Sequence, residues 1–189
     1  MKLKKMRVFL ALELPAALRE QLGELQGRLS FLGRGIKWVK EENMHLTLYF
    51  LGDLNTEKIQ GLYSCLEDTP RLKSFKVDVS GLGYFPPRGK IRVLWAGVST
   101  GSLKLQSLYT YLGDALQKHG FYIQRRSFIP HVTLGRFRTP MAVSSELQAG
   151  GHLQPETLYG SFVAREIALV QSVLTPAGPI YKVLRRFPI

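Results

Sequence analysis

The sequence predicts an α+β fold built from antiparallel sheets. Three observations carry this. Strand-like and helix-like stretches come in runs, without the strict βαβ alternation of a parallel sheet. No solenoid period and no low-complexity linker divides the chain, so residues 1–189 read as one two-lobed domain. Each half holds a long helix, several strands and one His-x-Thr-Leu strand. A bilobal arrangement brings those two strands face to face.

The elements follow in order from the hydrophobic pattern. Val8 to Leu12 is an apolar run of strand length. Pro15 opens a helix in which Leu18, Leu22, Leu25, Leu29 and Leu32 recur at spacings of four and three, and Gly33 and Gly35 end it. Short and longer strands follow at Ile36 to Val39 and Met44 to Leu51. Asn55-Thr56-Glu57 starts a second helix, with Ile59, Leu62, Tyr63 and Leu66 on one face. Phe75 to Val79 alternates as a half-buried strand does, and Ile91 to Val98 follows the turn Pro86-Pro87-Arg88-Gly89. A third helix runs from about Leu103 to His119 and stops at Gly120. Phe128 to Phe137 is a strand whose Pro130 marks a sheet edge or a strand entry. Ile167 to Leu174 and Tyr181 to Phe187 close the chain as two strands joined across Thr175 to Pro179.

Composition narrows the function. With Lys+Arg 26 against Asp+Glu 14, the formal net charge is +12, which attracts polyanions, RNA and DNA foremost. One cysteine, Cys65, excludes an intrachain disulfide and fits a reducing, cytoplasmic setting; its place in an apolar helical pattern makes it a buried structural thiol. The basic start Met1 to Arg7 precedes an apolar run that Glu13 and Pro15 cut short, too short for a membrane span and without a convincing cleavage site.

The chemistry rests on two of the four histidines. His45-Leu46-Thr47-Leu48 and His131-Val132-Thr133-Leu134 share one pattern. Side chains two apart on a strand point to the same face. Each motif therefore presents a histidine beside a threonine, while Leu46/Leu48 or Val132/Leu134 anchor the strand from behind. Imidazoles act as base or acid near neutral pH, and threonine hydroxyls hold the non-bridging oxygens of a phosphate ester. The duplication is the specific part of the signal. A metal site is disfavoured, since each motif offers one good ligand and neither a Cys cluster nor His-Glu-x-x-His is present. His119 before Gly120 suits a helix end, and His152 has no evident partner.

The chain also resembles the two-histidine phosphoesterases, and within them the RNA 2′,3′-cyclic phosphodiesterases, historically called 2′-5′ RNA ligases. The likeness runs through Arg7 to Pro15, Trp38-Val39, Asn43 to Gly52, Arg92 to Val98, Pro130 to Arg136 and Ser172 to Tyr181. It implies a bilobal fold, two antiparallel sheets around a central cleft with helices packed on the outside, and metal-independent hydrolysis of RNA 2′,3′-cyclic phosphate ends to 2′-phosphates without a cofactor. No obligate protein partner is evident in the sequence, and a monomer is expected. The likeness also implies His45 as proton donor and His131 as proton acceptor, with Thr47 and Thr133 orienting the phosphate. The residues alone leave the two histidine roles interchangeable. Arg136 is a family position suited to phosphate, but strict alternation puts it opposite His131 unless Gly135 marks a bulge. Arg125 and Arg126 could hold the RNA backbone, and Phe9 and Tyr49 could stack on a terminal base, although strand aromatics are more often core. Ligation in the same site and non-catalytic binding of RNA ends are the alternatives to hydrolysis.

Overall fold

The computed structural model describes residues 5–68, 73–124, 127–142 and 157–189. Among the described residues, nine strands and three α-helices follow one another as β1 (Met6–Glu13), α1 (Ala16–Arg28), β2 (Ile36–Trp38), β3 (His45–Leu54), α2 (Thr56–Glu67), β4 (Phe75–Phe85), β5 (Ile91–Val98), α3 (Ser102–Lys118), β6 (His131–Met141), β7 (Leu158–Ala164), β8 (Glu166–Thr175) and β9 (Gly178–Pro188).

Every strand pairing is antiparallel, in the order β7-β4-β5-β6-β3-β1-β8-β9, with β2 added along β6. The expected two sheets are its two halves, β7-β4-β5-β6 and β3-β1-β8-β9. They meet at the β3–β6 seam, where one register pair, Leu46↔Val132, carries hydrogen bonding from one half to the other. Both motif strands thus lie side by side at the centre of the sheet.

Helices and sheet share one core. Leu18, Leu22 and Leu25 of α1, Ile59 and Leu62 of α2, and Leu105, Leu108, Leu112 and Leu116 of α3 pack with Leu10, Leu46, Leu94, Val132 and Leu134. The helices also tie the halves together. The Gln26 amide of α1 donates to the carbonyls of Val39 (2.8 Å) and Leu134 (2.9 Å). On α3, the Tyr109 carbonyl accepts from the Tyr49 hydroxyl at 2.8 Å. A smaller cluster of Phe9, Ala11, Ala168 and Val170 lies apart from that core, with Tyr181 and Val183 packed against it.

Most boundaries follow from local chemistry. The Asn55 side chain accepts from the Lys58 amide and caps α2. Pro130 stands at a strand entry, directly before β6. His119 caps α3, its ring nitrogen bonded to the Ala115 carbonyl at 2.9 Å. The Cys65 thiol is buried, and burial raises it to about 11. The leucine stripe of the first helix is broken rather than continuous: α1 ends at Arg28, and a 3-10 turn over Ser30–Gly35 carries Leu32 into the same core. The strand Leu158–Ala164 has no counterpart among the elements expected from the sequence. Among the described residues no helix is long and apolar enough to cross a membrane. Arg125, Arg126 and His152 lie outside the described residues.

Candidate active site

Antiparallel pairing at the seam sets the central geometry. With Leu46 opposite Val132, stepping one residue each way puts His45 across from Thr133 and Thr47 across from His131. The four motif side chains form a crossed rectangle, each histidine facing the other motif's threonine. Its histidines lie on a diagonal, roughly 7–8 Å apart at the backbone.

Both rings are held the same way. The Asn43 carbonyl sits 2.8 Å from His45 Nδ1, and the Ile129 carbonyl 2.7 Å from His131 Nδ1. A carbonyl can only accept, so Nδ1 carries the hydrogen in each ring and Nε2 is the nitrogen left for chemistry. Aromatic packing fixes the ring planes. Phe9 stacks on His45 at 4.7 Å between centroids and Tyr181 meets it edge-on at 5.3 Å. Phe85 and Trp95 flank His131 at 5.1 and 5.8 Å.

Burial lowers the His45 imidazole to about 4; the Asn43 hydrogen bond opposes this, and the charges of Arg136 and His131 reinforce it. Burial likewise lowers His131, again against its backbone hydrogen bond and with help from Arg136. The repulsion between the two rings disfavours a doubly charged pair, as acid–base work by one neutral and one protonated imidazole requires.

A cleft of about 560 Å³ opens here, lined by His45, Thr47, Thr133, Arg136, Phe50 and Lys37, and walled by the β8–β9 turn from Thr175 to Tyr181. Asn43 fastens that turn by donating to the Pro179 carbonyl at 3.2 Å. His131 is not among the lining residues of this volume; by register it stands across from Thr47 and two residues before Thr133, both of which do line it.

Arg136 reaches the cleft by the route that alternation forbids. Leu94 pairs with Gly135 and Trp95 with Thr133, so Leu134 is an extra residue in β6. This bulge sends Leu134 and Gly135 to the core side and returns Arg136 to the face of His131. The first motif does the same. Leu10 pairs with Tyr49 and Ala11 with Thr47, leaving Leu48 extra. Tyr49 is thereby turned into the core, where it stacks on Tyr109 at 4.2 Å, and Phe50 emerges on the cleft at 71% exposure.

Two expectations are corrected as a result. Phe9 and Tyr49 are only 3% and 4% exposed and offer no ring face to a base. Phe50, six residues into its motif like Arg136, holds the exposed position expected of them. Strict alternation hid it, because a bulge changes which residues share a face without changing composition. Among the described residues, no three His, Cys, Asp or Glu side chains stand together as a metal site.

The arrangement has relatives. The family model described as LigT like Phosphoesterase matches residues 12–95, which include the first motif. A Thermotoga maritima protein named RNA 2′,3′-cyclic phosphodiesterase is 36% identical over 95% of this chain and 93% of its own length. A Methanothermobacter thermautotrophicus protein of the same name is 35% identical over 94% and 95%. Among solved structures, a Thermus thermophilus protein superposes with a TM-score of 0.80 at 30% identity, covering 97% of each chain. E. coli LigT complexed with 3′-AMP superposes with 0.81 at 26% identity, covering 98% and 99%. Sequence likeness over nearly the whole length, joined to this shared architecture, places the chain in the LigT-like phosphoesterase family with the RNA 2′,3′-cyclic phosphodiesterases, as a phosphoesterase.

Proposed function

We propose that this phosphoesterase hydrolyses RNA 2′,3′-cyclic phosphate ends to 2′-phosphomonoesters by acid–base catalysis between His45 and His131, with no step assigned to a metal. The observation that carries the reading is the crossed rectangle, in which both rings use Nδ1 on a backbone carbonyl and keep Nε2 free. The names of the curated relatives supply the substrate class.

In the reaction, neutral His131 takes a proton from water through Nε2 as the oxygen attacks phosphorus. The P–O3′ bond breaks, and His45 delivers its Nε2 proton to the leaving O3′. A 2′-phosphate and a 3′-hydroxyl result. Thr47 and Thr133 donate to the non-bridging oxygens, and the Arg136 guanidinium offsets their charge. Burial and neighbouring positive charge hold His45 neutral in the free enzyme. The proton it delivers is therefore favoured only once the anionic substrate sits beside it and counters Arg136. Phe50 gives the terminal base a ring to stack on.

The test is product analysis of an oligonucleotide ending in a 2′,3′-cyclic phosphate, with chelator present. A 2′-phosphate is expected from the wild type, and losses of about 10²–10⁴-fold from His45→Ala and His131→Ala. Turnover that survives either substitution, or that the chelator abolishes, overturns the mechanism. Adding a 5′-hydroxyl RNA to the same reaction reports ligation through the same site.

A further inference from the structure

The cleft has two unlike ends, and the cationic one carries a residue the proposed reaction does not use. Because β3 and β6 run antiparallel, the bulges place Phe50 and Arg136 beyond opposite ends of the motif rectangle. On the Arg136 side β2 lies against β6, with Lys37 directly opposite Arg136. Both side chains are exposed and both line the cleft. Among the described residues, no carboxylate pairs with either of them. Like charges directly opposed across a strand pair are destabilising. An anion between or above them removes that penalty.

The proposed reaction uses one anion, the scissile phosphate, held among the histidines and threonines with Arg136 beside it. Lys37 stands one strand further out, about 4.8 Å along the sheet. The ribose explains what can reach it. The base leaves the sugar at C1′, beside C2′, and the 5′ substituent leaves by C4′, beside C3′. With the cyclic phosphate in the rectangle and the base toward Phe50, the 5′ substituent points to the Arg136–Lys37 end.

Resting on the proposed function, we infer that Lys37, with Arg136 as its neighbour, seats the phosphate on the 5′ side of the terminal nucleotide. Lys37 makes the enzyme selective for cyclic-phosphate ends of RNA chains over nucleoside 2′,3′-cyclic phosphates. It is a specificity-determining residue that never touches the reacting atoms.

The experiment is a double cycle. A dinucleotide ending in a 2′,3′-cyclic phosphate is compared with the same molecule carrying a neutral methylphosphonate at its internal linkage, in wild type and Lys37→Ala. In the wild type, neutralising the linkage is expected to lower kcat/KM about tenfold, mainly through KM, as for loss of one charge-assisted contact. In Lys37→Ala that penalty is expected to vanish, and Lys37→Arg to restore it. Persistence of the full penalty in Lys37→Ala overturns the inference, as does a wild type indifferent to the linkage. A wild type that hydrolyses none of these cyclic phosphates refutes the proposed function instead.

Discussion

Beside the bulge that delivers Arg136, β2 packs over Gly135 because that residue has no side chain, which makes a sharp perturbation available. A Cβ at Gly135 would meet Ile36 Cδ1 at 2.5 Å, Ile36 Cγ1 at 2.7 Å and Trp38 Cε3 at 3.0 Å. Carbon atoms prefer about 3.5–4.0 Å, so β2 must retreat by about 1 Å or Ile36 must leave its position in the core. Gly135→Ala is therefore expected to cost about 1–3 kcal/mol, as overpacking does. Ile36→Ala removes both of the closest atoms, and alone costs about 2–5 kcal/mol for the cavity.

The two changes compete for the same space, so they cannot be independent. In the double variant the new methyl occupies part of the room vacated by Ile36. Urea unfolding of the four proteins should show a double-variant loss at least about 1 kcal/mol smaller than the sum of the single losses. Kinetics on a cyclic-phosphate dinucleotide should show Gly135→Ala raising KM more than it lowers kcat, because β2 carries Lys37 while the histidines stand on β3 and β6. Additivity within about 0.5 kcal/mol would show that β2 does not rest on Gly135. An unchanged KM in a destabilised variant would show that the cation wall tolerates displacement.

Three further outcomes follow from the histidine surroundings. Phe9→Ala deletes a buried ring stacked on His45 and is expected to cost about 3–5 kcal/mol, whereas Phe9→Leu costs much less; kcat should fall in the same order, and an unaltered kcat in a folded Phe9→Ala protein would deny the stack its orienting role. Both imidazoles are held below 6.5, so the folded state binds fewer protons than the unfolded chain between 6.5 and the lowered values. That contribution is complete above pH 6.5 and is lost as pH falls toward 4, by up to about 3 kcal/mol for His45. Denaturation from pH 7 to 4 should thus show a smaller loss in His45→Gln than in wild type. The same shift puts the optimum of kcat/KM on the acid side of pH 6.5, with the kcat optimum higher because bound phosphate favours the charged rings. An optimum of kcat/KM above pH 7 would contradict the buried environment.

The legible parts of this molecule were those that obey a period. Leu18, Leu22 and Leu25 announced α1, Asn55 announced the start of α2, and the duplicated tetrapeptides announced the strands that meet at the seam. Duplication exposed His45, Thr47, His131 and Thr133, because a repeated local pattern survives in sequence whatever the fold does with it. The illegible parts were where the period slips. A bulge adds one residue to one strand and reverses the facing of everything beyond it. Leu48 and Leu134 each do this, so Tyr49, offered by alternation as a stacking residue, is buried, and Phe50, which the sequence did not single out, is exposed. Gly135 was the one visible warning, and it marked Arg136. Lys37 gave no signal at all, since its importance comes from standing opposite Arg136 on a three-residue strand.

The same slips bear on which histidine acts as acid. The motifs are nearly symmetric: each ring gives Nδ1 to a carbonyl two residues back, and each faces the other motif's threonine. Symmetry breaks two residues past each extra leucine, aromatic in Phe50 and cationic in Arg136. By the antiparallel register His45 lies at the cationic end and His131 at the aromatic end. A base stacked on Phe50 turns C2′ and O2′ toward His131, and C3′ and O3′ toward His45. In-line displacement then has water entering from the His131 side and O3′ leaving on the His45 side. With the base on Phe50 as proposed, the register leads to the same assignment that likeness to the family implies, through two residues that do not touch the transferred proton.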